Sequence, residues 1–217
     1  NLTRICTNHI MASNDMLEIG CGTGFMTDEV FRLNPTANIL ATDIAQNMVN
    51  VCGAKLPNIE TMVMDGENPT VKNKYDFVYS NLAFQWFNDL PVTINKYKDL
   101  LNENGVLAFS TLSDKNFSQW QESCEFSGLD NRQKNFLSEE QIVKSFGDDF
   151  DVKIEIEILD MQFASALDFL SHLRNIGARG DSDNLPVGKL KKACKYLNDK
   201  HNNTVSYYVI YVVATRK

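Results

Sequence analysis

The sequence predicts an α/β fold: a three-layer, doubly wound, mostly parallel seven-stranded sheet with a small helical lid insertion. Three observations predict it. Residues 16–27, MLEIGCGTGFMT, run a short apolar segment into a glycine turn and then directly into a helical pattern. Apolar runs and helical patterns alternate from there to residue 111, as parallel strands joined by right-handed crossovers require. Two late apolar segments, 150–158 and 204–215, add a strand pair beyond that alternation.

In chain order, residues 1–15 read as the end of a helix and a polar turn, and 16–19 as the first strand. Phe25, Met26, Val30 and Leu33 share one face of a helix over about 24–33, which Asn34-Pro35-Thr36 stops. A second strand over 37–42 ends on Asp43. The helical stretch 45–54 carries Met48, Val49 and Cys52 at helical spacing, and Pro57-Asn58 breaks it. A third strand, 59–64, ends on Asp65-Gly66, and a loop leads to a fourth, 75–80. Pro91 suits a first helical turn, and Ile94, Tyr97, Leu100 and Leu101 give that helix its apolar face. Asn104-Gly105 reads as a tight turn before a fifth strand over 106–111.

The pattern loosens over about 113–148, where Trp120, Phe126, Phe136, Leu137 and Phe146 are spread among polar residues. This stretch is expected to be a lid inserted into a single domain of residues 1–217, with a set of surface helices as the alternative. Residues 150–158 then alternate apolar and charged side chains, the mark of a half-buried strand. Helices over about 164–176 and 187–199 precede the final strand.

A chain of 217 residues with 43% hydrophobic and 23% charged residues is an ordinary globular composition. No apolar run reaches the roughly 18–20 residues that span a bilayer, and no secretory signal opens the chain, so the expectation is cytoplasmic. Five scattered cysteines, Cys6, Cys21, Cys52, Cys124 and Cys194, have neither disulfide nor zinc spacing. The net charge of -7 argues against nucleic-acid binding. The chain begins at Asn1 rather than Met, which suggests a missing N-terminal segment.

The glycine turn is neither of the common phosphate cradles. A P-loop needs Lys and Ser or Thr after its last glycine, and the dinucleotide fingerprint needs a glycine where Phe25 or Thr27 stands. What remains is E-x-G-x-G-x-G, with Glu18 two residues before Gly20. Here the sequence resembles motif I of the class I S-adenosylmethionine-dependent methyltransferases. The resemblance implies that Gly20, Cys21 and Gly22 pass the methionine part of the cofactor, and that Glu18 organises the loop near its amino group.

In an open parallel sheet, ligands bind at the carboxyl ends of the strands near the switch point. The tips here offer Gly20, Asp43, Asp65 and Asn81. Asp43, about twenty residues past the glycines, is placed to accept ribose hydroxyls. Asp65 can accept the adenine amino group while the Gly66 N–H donates to a ring nitrogen, and Met48 can cover the adenine face. Ile44 and Leu82, next to Asp43 and Asn81, complete the expected cofactor set. Taken singly, an Asp before a helix is often only its N-cap.

A narrower resemblance lies outside these motifs. Asn81-Leu-Ala-Phe-Gln-Trp86, Phe109-Ser-Thr-Leu112, Phe136-Leu-Ser138, His172-Leu-Arg-Asn-Ile-Gly-Ala178 and Val205-Ser-Tyr-Tyr-Val-Ile-Tyr211 resemble segments of the malonyl-acyl-carrier-protein O-methyltransferases of biotin synthesis. That resemblance implies transfer of a methyl group from S-adenosyl-L-methionine to the carboxylate of a malonyl thioester on acyl carrier protein. It implies no metal, nucleic-acid or membrane partner. Arg174 is the expected carboxylate anchor, because a guanidinium takes a carboxylate in a two-pronged bond; a surface arginine is the bland reading. Gln85 and Trp86 are expected beside the methyl. Lys189, Lys191, Lys192 and Lys195 offer a local basic surface for an acidic carrier, against the plain reading of a solvated helix face. The alternatives are a small-molecule methyltransferase acting on a quinone precursor or polycarboxylic acid, and a non-catalytic methyltransferase-like protein.

Overall fold

The computed structural model describes residues 1–130, 136–175 and 185–217. Two short helices, α1 (Leu2–Ile5) and α2 (Thr7–Ala12), lead into β1 (Asp15–Ile19), α3 (Phe25–Leu33), β2 (Asn38–Asp43), α4 (Gln46–Lys55), β3 (Glu60–Val63) and β4 (Tyr75–Asn81). A 3-10 turn (Phe84–Trp86) precedes α5 (Leu90–Leu100) and β5 (Leu101–Leu112). Then come α6 (Ser118–Ser127), α7 (Glu139–Lys144), β6 (Phe150–Gln162), α8 (Ala166–Asn175), α9 (Val187–His201) and β7 (Thr204–Arg216).

The strands form one seven-stranded sheet in the order β3-β2-β1-β4-β5-β7-β6. The pairs β1·β2, β1·β4, β2·β3 and β4·β5 are parallel. β7 runs against β6: the Lys217 N–H donates to the Asp149 carbonyl beyond one end, and the Phe163 N–H to the Asn203 carbonyl beyond the other. The doubly wound fold predicted from the alternation is therefore present. Met16, Leu17 and Ile19 of β1 are all buried, as a strand covered on both faces demands.

Local chemistry places the helix ends. α3 starts from Gly24 at φ 72°, a left-handed turn out of β1. α5 is capped by Asp89, whose carboxylate accepts the Val92 N–H at 3.1 Å, with Pro91 in the first turn. One expectation changes form. Asn104-Gly105 is not a connection ahead of β5, because α5 runs straight into β5 at Leu101. The register instead jumps from Tyr75↔Leu101 to Phe77↔Val106, so the turn residues make a bulge inside the strand.

The chain divides into two compact units. The first holds residues 1–111, 139–155 and 210–217. Its core includes Met16, Leu17, Phe77, Tyr79, Ile94, Tyr97 and Phe109, with Phe84 stacked on Phe109 at 4.4 Å. The second holds 112–138 and 156–209, around Phe117, Trp120, Phe169, Leu173, Ala193 and Leu197. The stretch 113–148, expected as one insertion, is thus shared: 113–138 lie in the second unit and 139–148 in the first. Among the described residues, no helix is long and apolar enough to cross a membrane.

Candidate active site

β1 and β4 are neighbours in the sheet but not in sequence, so the crossovers leave them toward opposite sides and a crevice opens at their carboxyl ends. Three glycines shape the β1 end, each for a different reason. Gly20 has φ 72°, and a Cβ there would stand 2.7 Å from the Ala83 Cβ beyond β4. Gly24, also at φ 72°, would place a Cβ 2.9 Å from the Cys52 Sγ of α4. Gly22, at φ 52°, has nothing within 4 Å of its Cβ position. Two glycines thus admit neighbouring protein, and the middle one faces open space.

Asp43 holds this loop. Its Oδ2 accepts the Gly22 N–H at 2.9 Å and its Oδ1 accepts the Ala45 N–H at 2.9 Å. Each oxygen keeps a second acceptor position, which two vicinal hydroxyls can use. Lys55 ties the far side, its Nζ donating to the Gly24 carbonyl at 3.0 Å. The Cys21 side chain is turned inward, while its backbone N–H donates to the Thr42 carbonyl and its backbone carbonyl accepts the Gly24 N–H, so its part lies in the shape of the loop.

Glu18 is 1% exposed. Burial pushes its carboxyl up to about 7, against hydrogen bonds that favour the charged form: Thr27 Oγ1 donates to Oε2 at 2.5 Å, and the Tyr79 hydroxyl at 3.3 Å. Burial and the Glu18 carboxylate in turn raise the Tyr79 phenol well above its usual range.

At the β3 end, Asp65 accepts the Glu67 N–H at 2.9 Å and the Asn68 Nδ2 at 2.7 Å. Gly66 is buried, and a Cβ there would lie 2.7 Å from Ile19 Cγ2 and 2.8 Å from Phe87 Cζ. Packing is what requires that glycine. At the β4 end, Ser110 Oγ donates to Asn81 Oδ1 at 2.6 Å and accepts the Leu82 N–H at 3.0 Å. Leu82 has φ 53°, a left-handed conformation costing a branched side chain about 1–2 kcal/mol. Gln85 Nε2 donates to the Leu82 carbonyl at 2.6 Å, while Gln85 Oε1 is buried with no partner among the described residues.

Apolar side chains stand exposed at the same strand ends: Ile44 and Phe25 at 70%, Trp86 at 42% and Leu82 at 40%, with Met48 half-buried. Acceptors at the tips with unfilled apolar surface beside them suit a ligand that has polar edges and apolar faces. The sheet brings Glu18, Gly20, Cys21, Gly22, Asp43, Ile44, Met48, Asp65, Gly66, Asn81, Leu82, Gln85 and Trp86 together in the first unit. Arg174 belongs to the second unit, exposed near the end of α8. In that unit the His172 ring packs 5.5 Å from Phe163 and 6.2 Å from Tyr207, as an aromatic-cluster histidine. Ile176, Gly177, Ala178 and Arg179 lie outside the described residues.

Thr27, Tyr79, Ser110 and Lys55 escaped the sequence reading. Tyr79 and Ser110 act on site residues far away in the chain, Tyr79 on Glu18 61 positions off and Ser110 on Asn81 29 off. Only the parallel pairing of β1, β4 and β5 creates those meetings. Thr27, in the first turn of α3, carried the nearest thing to a signal, being a hydroxyl where the apolar face should continue.

Residues 17–109 match a family profile described as "Methyltransferase domain". Over 211 residues the chain is 33% identical to the malonyl-[acyl-carrier protein] O-methyltransferase of Magnetococcus marinus, covering 93% of this chain and 77% of that protein. It is 30% identical over 213 residues to malonyl-[acyl-carrier protein] O-methyltransferase 1 of Ilyobacter polytropus, covering 92% and 79%. Among solved structures, a putative methyltransferase from Bacillus halodurans superposes with a TM-score of 0.66 at 14% identity, covering 99% of this chain and 98% of the other. That likeness is one of fold.

Proposed function

Because the chain belongs to the malonyl-[acyl-carrier protein] O-methyltransferase family, we propose that it methylates the free carboxylate of a malonyl thioester carried on acyl carrier protein, an early step of biotin synthesis. The enzyme is an S-adenosylmethionine-dependent methyltransferase. The similarity to relatives of that name along nearly the whole chain is the observation that carries the reading.

The strand tips fit the cofactor. Gly22 opens onto free space, and Asp43 and Asp65 offer acceptor positions beyond those their own loops use. Asp43 would hold the ribose, Asp65 and Gly66 the adenine edge, Ile44, Met48 and Leu82 its faces, and Glu18 with Gly20 to Gly22 and Asn81 the amino-acid end. When bound, S-adenosylmethionine supplies an electrophilic methyl on a positively charged sulfur.

The chain then needs no general base. A malonyl carboxylate is already ionised at neutral pH, since reference carboxyl values lie near about 4. What the residues must do is hold that carboxylate, orient one oxygen and keep water from it. We assign the hold to Arg174, whose exposed guanidinium has the fork geometry a carboxylate matches. We assign exclusion of water to Trp86 and Gln85, the latter supplying a polar atom in want of a donor.

The test is intact-mass spectrometry of malonyl-loaded acyl carrier protein after incubation with the protein and S-adenosylmethionine, with free malonate alongside. One added methyl on the carrier, lost in Arg174→Ala, is the expected result. Methylation of free malonate with none on the carrier would overturn it.

A further inference from the structure

The chain carries a net charge of -7, yet α9 concentrates Lys189, Lys191, Lys192, Lys195 and Lys200 against a single acid, Asp199. Ala193 and Leu197 fasten one face of α9 into the core of the second unit, with Leu190 and Cys194 packed beside them. At 3.6 residues per turn, Lys189, Lys191, Lys192 and Lys195 fall on the opposite, exposed arc. Lys195 pairs with Asp199 at 2.5 Å. Lys189, Lys191 and Lys192 have no carboxylate at ion-pair distance among the described residues.

Beside this arc the same unit exposes an aromatic ring. Phe126 of α6 is 53% exposed, packs its ring tilted against Tyr196 of α9 at 4.3 Å and lies 4.6 Å beneath the Lys192 Nζ. Glu122, which would otherwise blunt the charge, accepts the Tyr196 hydroxyl at 2.7 Å and faces His201 Nε2 at 2.8 Å. Glu125 stays exposed on α6 next to the ring.

We propose that the lysine arc of α9, with Phe126 as its apolar anchor, is the dock for the acidic protein that carries the substrate; this rests on the carrier-bound malonyl reading above. Charge complementarity names the occupant. A chain of net -7 repels an acidic partner at long range, and productive encounter then needs a local patch of opposite sign within a Debye length of about 8 Å. An exposed aromatic ring among the cations adds contact area that charge alone lacks.

The test compares two substrates sharing the thioester arm: malonyl-acyl carrier protein and malonyl-coenzyme A. For Lys191→Glu/Lys192→Glu, kcat/KM on the carrier substrate should fall about tenfold or more, through KM and with a weaker salt dependence, while malonyl-coenzyme A turnover is unchanged. Phe126→Ser should act in the same direction. Lys144→Glu/Lys153→Glu, exposed elsewhere, controls for net charge and should leave both substrates unaffected. An equal loss on both substrates, or none on the carrier with wild-type melting, overturns the dock and leaves the reaction standing. Wild-type protein that methylates neither substrate removes the functional reading and the dock with it.

Discussion

Asp43 at the end of β2 accepts the backbone N–H of Gly22 at 2.9 Å, so one strand tip holds the glycine loop of the next before any ligand arrives. The same carboxylate is the proposed ribose acceptor, which couples loop shape to cofactor affinity. Asp43→Asn places a donor amide among backbone donors. We expect S-adenosylhomocysteine affinity, read by titration calorimetry, to fall at least about tenfold, the equivalent of about 1.4 kcal/mol. Affinity unchanged within twofold would remove Asp43 from the site.

Glu18 makes stability depend on pH. Its folded carboxyl titrates near 7 against an ordinary value of 4.5, because burial penalises its charge. Between those values the folded state holds a proton that the unfolded state has lost, so stability falls as pH rises through the window, by about 3 kcal/mol. Glu18→Gln should flatten the pH dependence of melting between pH 5 and 8 and raise the ligand-free melting temperature at pH 8. It should weaken S-adenosylhomocysteine binding at that pH. An unchanged slope would mean the carboxyl titrates normally.

Gly22 and Gly66, both in the proposed cofactor site, should differ in how much stability each substitution costs. Gly66→Ala drives a Cβ to 2.7 Å from Ile19 and 2.8 Å from Phe87, an overpacking worth about 1–3 kcal/mol that thermal unfolding would show. Gly22→Ala meets no atom but sits at φ 52°, so it should cost about 1–2 kcal/mol in backbone strain and a larger share of cofactor affinity. A Gly22→Ala stability loss as large as that of Gly66→Ala, with cofactor affinity unchanged, would contradict the open space over Gly22.

Arg174→Lys keeps the charge and removes the fork. On the malonyl thioester, kcat/KM should fall by about 10- to 100-fold while S-adenosylhomocysteine binding stays the same. Full activity in the lysine variant would reduce Arg174 to a surface residue.

The sequence by itself determined the fold class and the tip residues. Period-2 and period-3.6 patterns mark the strands and helices directly, and Gly20, Asp43, Asp65 and Asn81 each follow an apolar run, which places them at strand ends. Local pattern also located the start of α3 near residue 24 and the first turn of α5 at Pro91, while the Asp89 cap came from the structure. Only the tertiary structure decided why those residues are held as they are. The Tyr79 grip on Glu18, the Ser110 bridge to Asn81 and Leu82, the contact of Gly20 with Ala83 and the bulge inside β5 come from strand pairing between distant segments, and the Thr27 bond to Glu18 from α3 packing back on β1. Likewise, a run of lysines reads the same on any exposed helix. The burial of Ala193 and Leu197 turns those of α9 to one side, and the packing of α6 brings Phe126 among them. Hydrogen bonds and desolvation act over a few ångströms, and which groups come that close is a property of the folded chain.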